Sequence, residues 1–326
     1  MKRMLPRACT MPLMALVALV ALVASTSVTA CAAFSVLPVR SQMHELKVGR
    51  EQREYILHVP RSYSSAQPTA LVILLHGHGA RAQTFEASTG MSGKADRKGF
   101  IVAYPQALGS PSVWHTGVDG SISVDDVAFI RTLIGSISSG YNIDPDRIYV
   151  AGHSNGAFMA YRVGSSLSEQ VAAIGISAGS IGRITPRGDT LRIAKPAHPV
   201  SVIAYHGLAD NTVPYNGGKE EDGPRRIVAA PQSIQFWVQS DGCDVTPVST
   251  VMNDGNVRRD DYTGCKDGTE VTFYIIRDGT HKWPGDKEPW WHFWGHSGSE
   301  PSATDEMWTF FQAHPKQRDS VAAGTH

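Results

Sequence analysis

An apolar, β-branched run that meets Gly-x-Ser-x-Gly and continues into helix-forming residues constrains this chain more than any other stretch. Ile148 and Val150 lead into Gly152-His153-Ser154-Asn155-Gly156, and Ala157, Phe158, Met159 and Ala160 follow. A strand, a tight turn and a helix in that order form the setting in which the pentapeptide reads as a nucleophile elbow. A serine held on so sharp a turn crowds its neighbours, so Gly152 and Gly156 remove side chains where strand and helix approach. The Ser154 hydroxyl is then expected to project from the end of the strand, with the Asn155 N–H directed into the same space at a helix N-terminus. The competing reading is a glycine-rich turn whose serine only caps the helix.

Composition narrows the class. With 326 residues, 42 % of them hydrophobic, the chain can bury a full core. Thirty Lys and Arg balance thirty Asp and Glu, which argues against a nucleic-acid binder and its basic excess. At the amino terminus Lys2, Arg3 and Arg7 precede an apolar run from Met11 to Ala24 and then Ser25-Thr26-Ser27-Val28-Thr29-Ala30-Cys31. Charged, apolar and small residues in that order make a secretory signal, and the run is short for a membrane span. Val28-Thr29-Ala30-Cys31 resembles a lipobox, so residues 1–30 are expected to be removed and Cys31 to carry lipid, the only membrane attachment expected. Ordinary cleavage between Ala30 and Ala33 is the alternative. Of four cysteines, Cys9 goes with the signal and Cys31 with the lipid, leaving Cys243 and Cys265 as a disulfide pair in an oxidising compartment.

Residues 31–43 show no sustained periodicity and are expected to be a tether, 44–315 the folded domain and 316–326 a disordered tail. Within the domain, apolar runs at 55–59, 70–75, 100–105, 147–151, 171–176, 200–205 and 271–276 read as strands. Helices are expected at 124–138, where Val127, Ile130, Ile134 and Ile137 recur at helical spacing, then from 156, from Pro231 to Ser240, and over 302–313. Such alternation predicts an α/β fold with a mostly parallel central sheet covered by helices on both faces.

Three further segments follow strands, where open α/β sheets carry their ligand-binding groups. In Leu75-His76-Gly77-His78-Gly79 the glycines let the backbone curl, and the His78 amide becomes an oxyanion donor beside that of Asn155. His76 and His78 lack a third and fourth ligand, so no metal site is expected. Asp210, in His206-Gly207-Leu208-Ala209-Asp210, can orient an imidazole; Asp125 and Asp126 are rivals that more naturally start a helix. His281 lies in a glycine-flanked loop after the last strand and completes the chain order Ser…Asp…His of an α/β-hydrolase. His153 reads as structural. His292 and His296, in or beside the Trp-rich stretch 289–296, read as part of a lid or pocket wall.

Leu-His-Gly, Gly-His-Ser-Asn-Gly-Ala, His-Gly-x-x-Asp-x-x-Val-Pro-Tyr and His-x-Trp-Pro-Gly, in this order across 70–285, resemble the secreted polyhydroxybutyrate depolymerase and feruloyl esterase family. The Cys243/Cys265 pair and the closing helix also match that pattern. The resemblance implies an α/β-hydrolase fold and a serine esterase that needs no cofactor. It implies a triad of Ser154, Asp210 and His281, an oxyanion hole of the His78 and Asn155 amides, and Trp114, Tyr215 and Trp283 flanking the acyl group. The substrate implied is an ester with an aryl, short-chain or hydroxyalkanoate acyl group. A peptidase using the same triad and a non-catalytic surface lipoprotein remain the two rival readings.

Overall fold

The computed structural model describes residues 41–118, 124–219, 226–285 and 301–317. In chain order the strands and helices are β1 (Ser41–Val48), β2 (Glu51–His58), β3 (Thr69–Leu75), α1 (Ala82–Thr89), α2 (Met91–Lys98), β4 (Ile101–Pro105), α3 (Asp126–Gly140), β5 (Ile143–His153), α4 (Asn155–Ser166) and β6 (Ala173–Ser177). Then come β7 (Gly182–Ile184), β8 (Thr190–Arg192), β9 (Ser201–Gly207), β10 (Gly218–Lys219), β11 (Arg226–Ile227), α5 (Ala230–Asp241), β12 (Val248–Met252), β13 (Val257–Tyr262), β14 (Val271–Ile276) and α6 (Ala303–Ala313).

A ten-stranded sheet runs β1-β2-β4-β3-β5-β6-β9-β14-β13-β12. Neighbours from β4 through β14 pair in parallel, and both flanks are antiparallel. The central strands are mostly apolar where both of their faces are covered. Leu71, Ile73 and Leu75 of β3 pack into a core with Phe129, Phe158 and Trp237 from α3, α4 and α5. Val72 and Leu74, on the opposite face, pack with Phe85, Met91, Met307 and Phe311 from α1, α2 and α6. This two-sided burial is why an uninterrupted hydrophobic run marks a parallel strand. From β3 the chain first builds outward to β4 and then returns to lay β5 on β3's other side, so the strand order reverses between β3 and β5. Ligands of open α/β sheets bind outside the strand ends at such a reversal.

The structure agrees with the expected fold and extends it in three places. Ser41 to Met43 belong to β1 and not to a tether, paired in register with His58 to Ile56 of β2. The β12–β13 hairpin and a small sheet ordered β10-β11-β7-β8 were not expected; β8, β10 and β12 lie largely exposed, with no apolar period to mark them. Lys316, expected at the start of a disordered tail, donates its N–H to the Asp146 carbonyl at 2.7 Å. The signal segment, Cys31, the Trp-rich stretch with His292 and His296, and the chain after 317 lie outside the described residues. Among the described residues no helix is long and apolar enough to cross a membrane.

Asp125 caps α3 by accepting the Ala128 N–H at 3.0 Å, as expected of a helix start. Asp126 is fully buried and accepts from Arg53 at 2.7 Å and from the His115 N–H at 2.8 Å, while the Arg53 guanidinium lies 3.9 Å from the Phe129 ring centroid. Both rival carboxylates are thus committed elsewhere.

Cys243 and Cys265 form the expected disulfide, 22 residues apart, at the open end of the β12–β13 hairpin. Replacing both with serine should lower the unfolding free energy by about 3 kcal/mol, the loop-closure value for that separation. Urea titration checks this, and unchanged stability would contradict it. Asp241, at the end of α5, is buried at a cost. It is fully buried, its Oδ1 accepts the Val200 N–H at 3.3 Å, and its Oδ2 has no partner among the described residues. Burial pushes its carboxyl up from 3.8 to about 7. The folded protein therefore keeps a proton that the unfolded chain releases; this contribution is full below pH 3.8 and lost as pH rises through about 7. Asp241→Asn, which keeps the Val200 acceptor, should be more stable than the parent by on the order of 2 kcal/mol at pH 8, the gap narrowing toward pH 4. A gap independent of pH in parallel urea titrations would contradict this.

Candidate active site

Gly-x-Ser-x-Gly works here by subtraction. A Cβ on Gly152 would lie 2.2 Å from the Gly156 carbonyl oxygen, and one on Gly156 would lie 2.0 Å from the Leu75 carbonyl oxygen. Only glycine at both positions lets α4 start directly against the ends of β5 and β3. Ser154 sits between them at φ 54°, ψ −125°, a conformation that costs a non-glycine residue on the order of 1–3 kcal/mol. Its N–H donates to the Ser177 carbonyl at 2.9 Å, and its carbonyl accepts from the Ala157 and Phe158 amides of α4. The turn is held from both sides.

The ends of β9 and β14 bring the other two groups to Ser154. His281 Nε2 lies 2.9 Å from Ser154 Oγ, and its Nδ1 lies 2.8 Å from Asp210 Oδ2. Asp210 is 2 % exposed, and its Oδ1 accepts the Val213 N–H at 2.8 Å. A carboxylate that accepts at Nδ1 fixes that nitrogen as the donor and leaves the Nε2 lone pair facing the serine hydroxyl. Gly207 permits the approach of the two loops, because a Cβ there would stand 2.0 Å from the Gly279 carbonyl oxygen.

Three more histidines surround this set. Buried His76 donates from Nδ1 to the Gly77 carbonyl at 2.8 Å and accepts the Ala107 N–H at Nε2 at 3.1 Å, and burial lowers its pKa. Buried His206 donates from Nε2 to the Val213 carbonyl at 2.7 Å; burial lowers its pKa, partly offset by that carbonyl and by Asp210. His153 presents its ring 4.9 Å from that of His281 and hydrogen-bonds through Nδ1 to Ser177 Oγ at 3.2 Å. Ser177 in turn donates to the Lys282 carbonyl at 3.3 Å, tying the His281 loop to β6. Burial, then the neighbouring His281, push the His153 pKa down to about 3.

The cleft over Ser154 has a volume of about 500 Å³. Gly77 forms its floor, with the position of a Cβ there 3.4 Å from Ser154 Cβ, and exposed His78 lines it. The His78 and Asn155 amides donate to no acceptor among the described residues. Phe85 and Trp283, in edge-to-face contact at 5.6 Å, make the apolar wall, and Trp283 is fixed by an indole N–H donated to Thr304 at 3.1 Å. Thr84, Ser88 and Thr212 also line the cleft. Phe85, Thr84 and Ser88 come from α1, which carries no motif, so spacing alone gave no sign of them.

Two residues expected around the acyl group lie elsewhere. Trp114 is fully buried, its indole N–H bonded to the His76 carbonyl at 2.9 Å, and does not reach the cleft. Tyr215 packs its ring against His206 and Phe273 and does not line the cleft. Both are large aromatics near strand ends, and their side chains turn toward the core because the apolar area they bury there is large.

Residues 53–205 match the family model described as esterase PHB depolymerase. Feruloyl esterase B of Piromyces equi is 30 % identical over 246 residues, covering 74 % of this chain, which spans 44 % of that relative's length. Putative esterase NocK of Nocardia uniformis subsp. tsuyamanensis is 24 % identical over 268 residues, covering 76 % of this chain and 75 % of the relative. Feruloyl esterase D of Neurospora crassa is 24 % identical over 278 residues, covering 81 % and 83 %. Among solved structures, acetyl xylan esterase from Aspergillus awamori superposes with a TM-score of 0.57 at 15 % identity, covering 83 % of this chain and 99 % of that one, which shows a shared α/β-hydrolase fold. Over residues 53–205 the chain matches the esterase family of polyhydroxybutyrate depolymerases, and the shared fold and the feruloyl esterase relatives agree with that match.

Proposed function

We propose that the protein is a serine carboxylic-ester hydrolase. The observation that carries this reading is the pair of hydrogen bonds at His281, 2.9 Å to Ser154 and 2.8 Å to Asp210. In the reaction His281 Nε2 takes the proton of Ser154 as Oγ attacks the ester carbonyl. The carbonyl oxygen, gaining negative charge, is received by the His78 and Asn155 amides, and Asp210 balances the imidazolium. His281 returns the proton to the departing alcohol, leaving an acyl-enzyme. Water, deprotonated by the same nitrogen, then adds to the acyl carbon, and the acid leaves as Ser154 regains its proton. Every proton passes through a nitrogen already within reach of the serine.

The Phe85 and Trp283 rings favour a flat acyl group, and the named feruloyl esterase relatives agree with an aryl ester as the substrate. We place the enzyme outside the cytoplasm, with residues 1–30 as an export signal and Cys31 as the acylated terminus. The signal pattern and the disulfide support that placement.

Hydrolysis of methyl ferulate beside a soluble 3-hydroxybutyrate oligomer tests the reading, with Ser154→Ala as the blank. The parent should turn over ferulate, and Ser154→Ala should lose about 10⁴-fold or more. Turnover of the oligomer alone would move the acyl assignment to hydroxyalkanoates. Full activity in Ser154→Ala would overturn the mechanism.

A further inference from the structure

The segment Ser112 to Trp114, between β4 and α3, takes no part in the chemistry above. It nonetheless touches both elements that carry the two amide donors. Toward the His76–Ala80 loop, Ser112 accepts the Gly79 N–H at its carbonyl at 2.8 Å and donates its hydroxyl to the Ala80 carbonyl at 2.7 Å. On the same side Trp114 donates its indole N–H to the His76 carbonyl at 2.9 Å. Toward α4, the Trp114 N–H donates to Asn155 Oδ1 at 2.7 Å, and Asn155 Nδ2 donates to the Trp114 carbonyl at 3.2 Å. Bonds on the first side bracket His78 in sequence; bonds on the second hold the side chain of the residue whose amide is the other donor.

Ser112, Trp114 and His76 are buried, so water does not substitute cheaply for these partners. The Trp114 ring is packed between His76, at 5.3 Å, and Phe129, at 6.5 Å, which leaves the indole N–H little choice of direction. An oxyanion site stabilises charge only where its N–H groups converge on one point before the charge arrives. Here the two donors belong to different elements, a loop after β3 and the first turn of α4. Ser112–Trp114 is bonded to both.

We propose that this segment is a strap that sets the register of the two oxyanion donors, with the Trp114 indole and the Asn155 side chain as positioning residues. The inference rests on the esterase reading. It assigns Trp114 a role in transition-state geometry although its side chain never meets substrate. A purely structural role would move thermal stability and leave kcat untouched in a folded variant. Positioning moves kcat and the affinity for a tetrahedral adduct together, with little change in KM.

The test compares Trp114→Phe, which keeps a ring and removes the indole donor, with Asn155→Ala, which keeps the backbone amide and removes both side-chain bonds. Ser112→Ala serves as a third variant that removes only the hydroxyl bond to Ala80 on the loop side, should Trp114→Phe fail to fold. Measured are melting temperature, kcat and KM for p-nitrophenyl acetate, and Ki for phenylboronic acid, whose adduct with Ser154 puts a charged oxygen in the same place. Each variant that keeps the parent melting temperature within a few degrees should lose about 10- to 100-fold in kcat, keep KM within about threefold, and bind the boronic acid more weakly by a factor like that in kcat. Trp114→Phe with Asn155→Ala should cost less than the product of the two, because both cut one strap. Folded variants with kcat and boronate affinity within about twofold of the parent, or with losses in KM alone, would overturn the strap. A parent protein that neither hydrolyses the ester nor binds the boronic acid overturns the esterase reading, and the strap with it.

Discussion

Close approach of backbone to backbone at Gly156 is the constraint from which the site follows. Because no Cβ stands there, α4 begins against the Leu75 and His76 carbonyls, and the last turn of β5 must bend sharply enough to leave Ser154 at φ 54°. A left-handed residue followed at once by a helix is unfavourable locally. It persists because the amide and carbonyl of Ser154 are both bonded and because β5 lies between β3 and β6 in the middle of the sheet. Strain of this kind survives where the surroundings over-determine it. The return is that the hydroxyl stands clear of the sheet at the strand-order reversal, within reach of loops from β9 and β14.

Electrostatics around the serine depend on keeping the three imidazoles that surround His281 neutral. His76, His153 and His206 are each buried or pressed against the cleft, and desolvation disfavours their charged forms. Each also has a fixed partner: a backbone carbonyl for His76 and His206, the Ser177 hydroxyl for His153. His281 differs in having a buried carboxylate on Nδ1.

Much of this was legible in the residues, and the reason is physical. The parallel strands announce themselves because both faces are buried, and the three segments bearing Ser154, Asp210 and His281 are short, glycine-marked and tied to strand ends. What the pattern does not carry is the direction of large side chains that follow those ends. Trp114 and Tyr215 have the composition of pocket residues and turn inward, whereas Phe85 reaches the cleft from a helix whose other residues give no hint of it. The edge elements were equally silent: β1, β8 and β12 are held by ladder hydrogen bonds in largely solvent-facing strands, so their side chains need no apolar period. His153 illustrates a third case. Its neighbour in sequence hides that its ring meets His281, a contact 128 positions away that only the assembled sheet creates.

The central claim is that Ser154 becomes acylated during turnover. Its most direct test is mass spectrometry of the parent enzyme quenched in acid during steady-state hydrolysis of p-nitrophenyl acetate, followed by proteolysis and sequencing of the modified peptide. The expected result is an acetyl adduct on Ser154, lost when substrate is exhausted before the quench. Turnover without any adduct, or with the acetyl group on another residue, would contradict it.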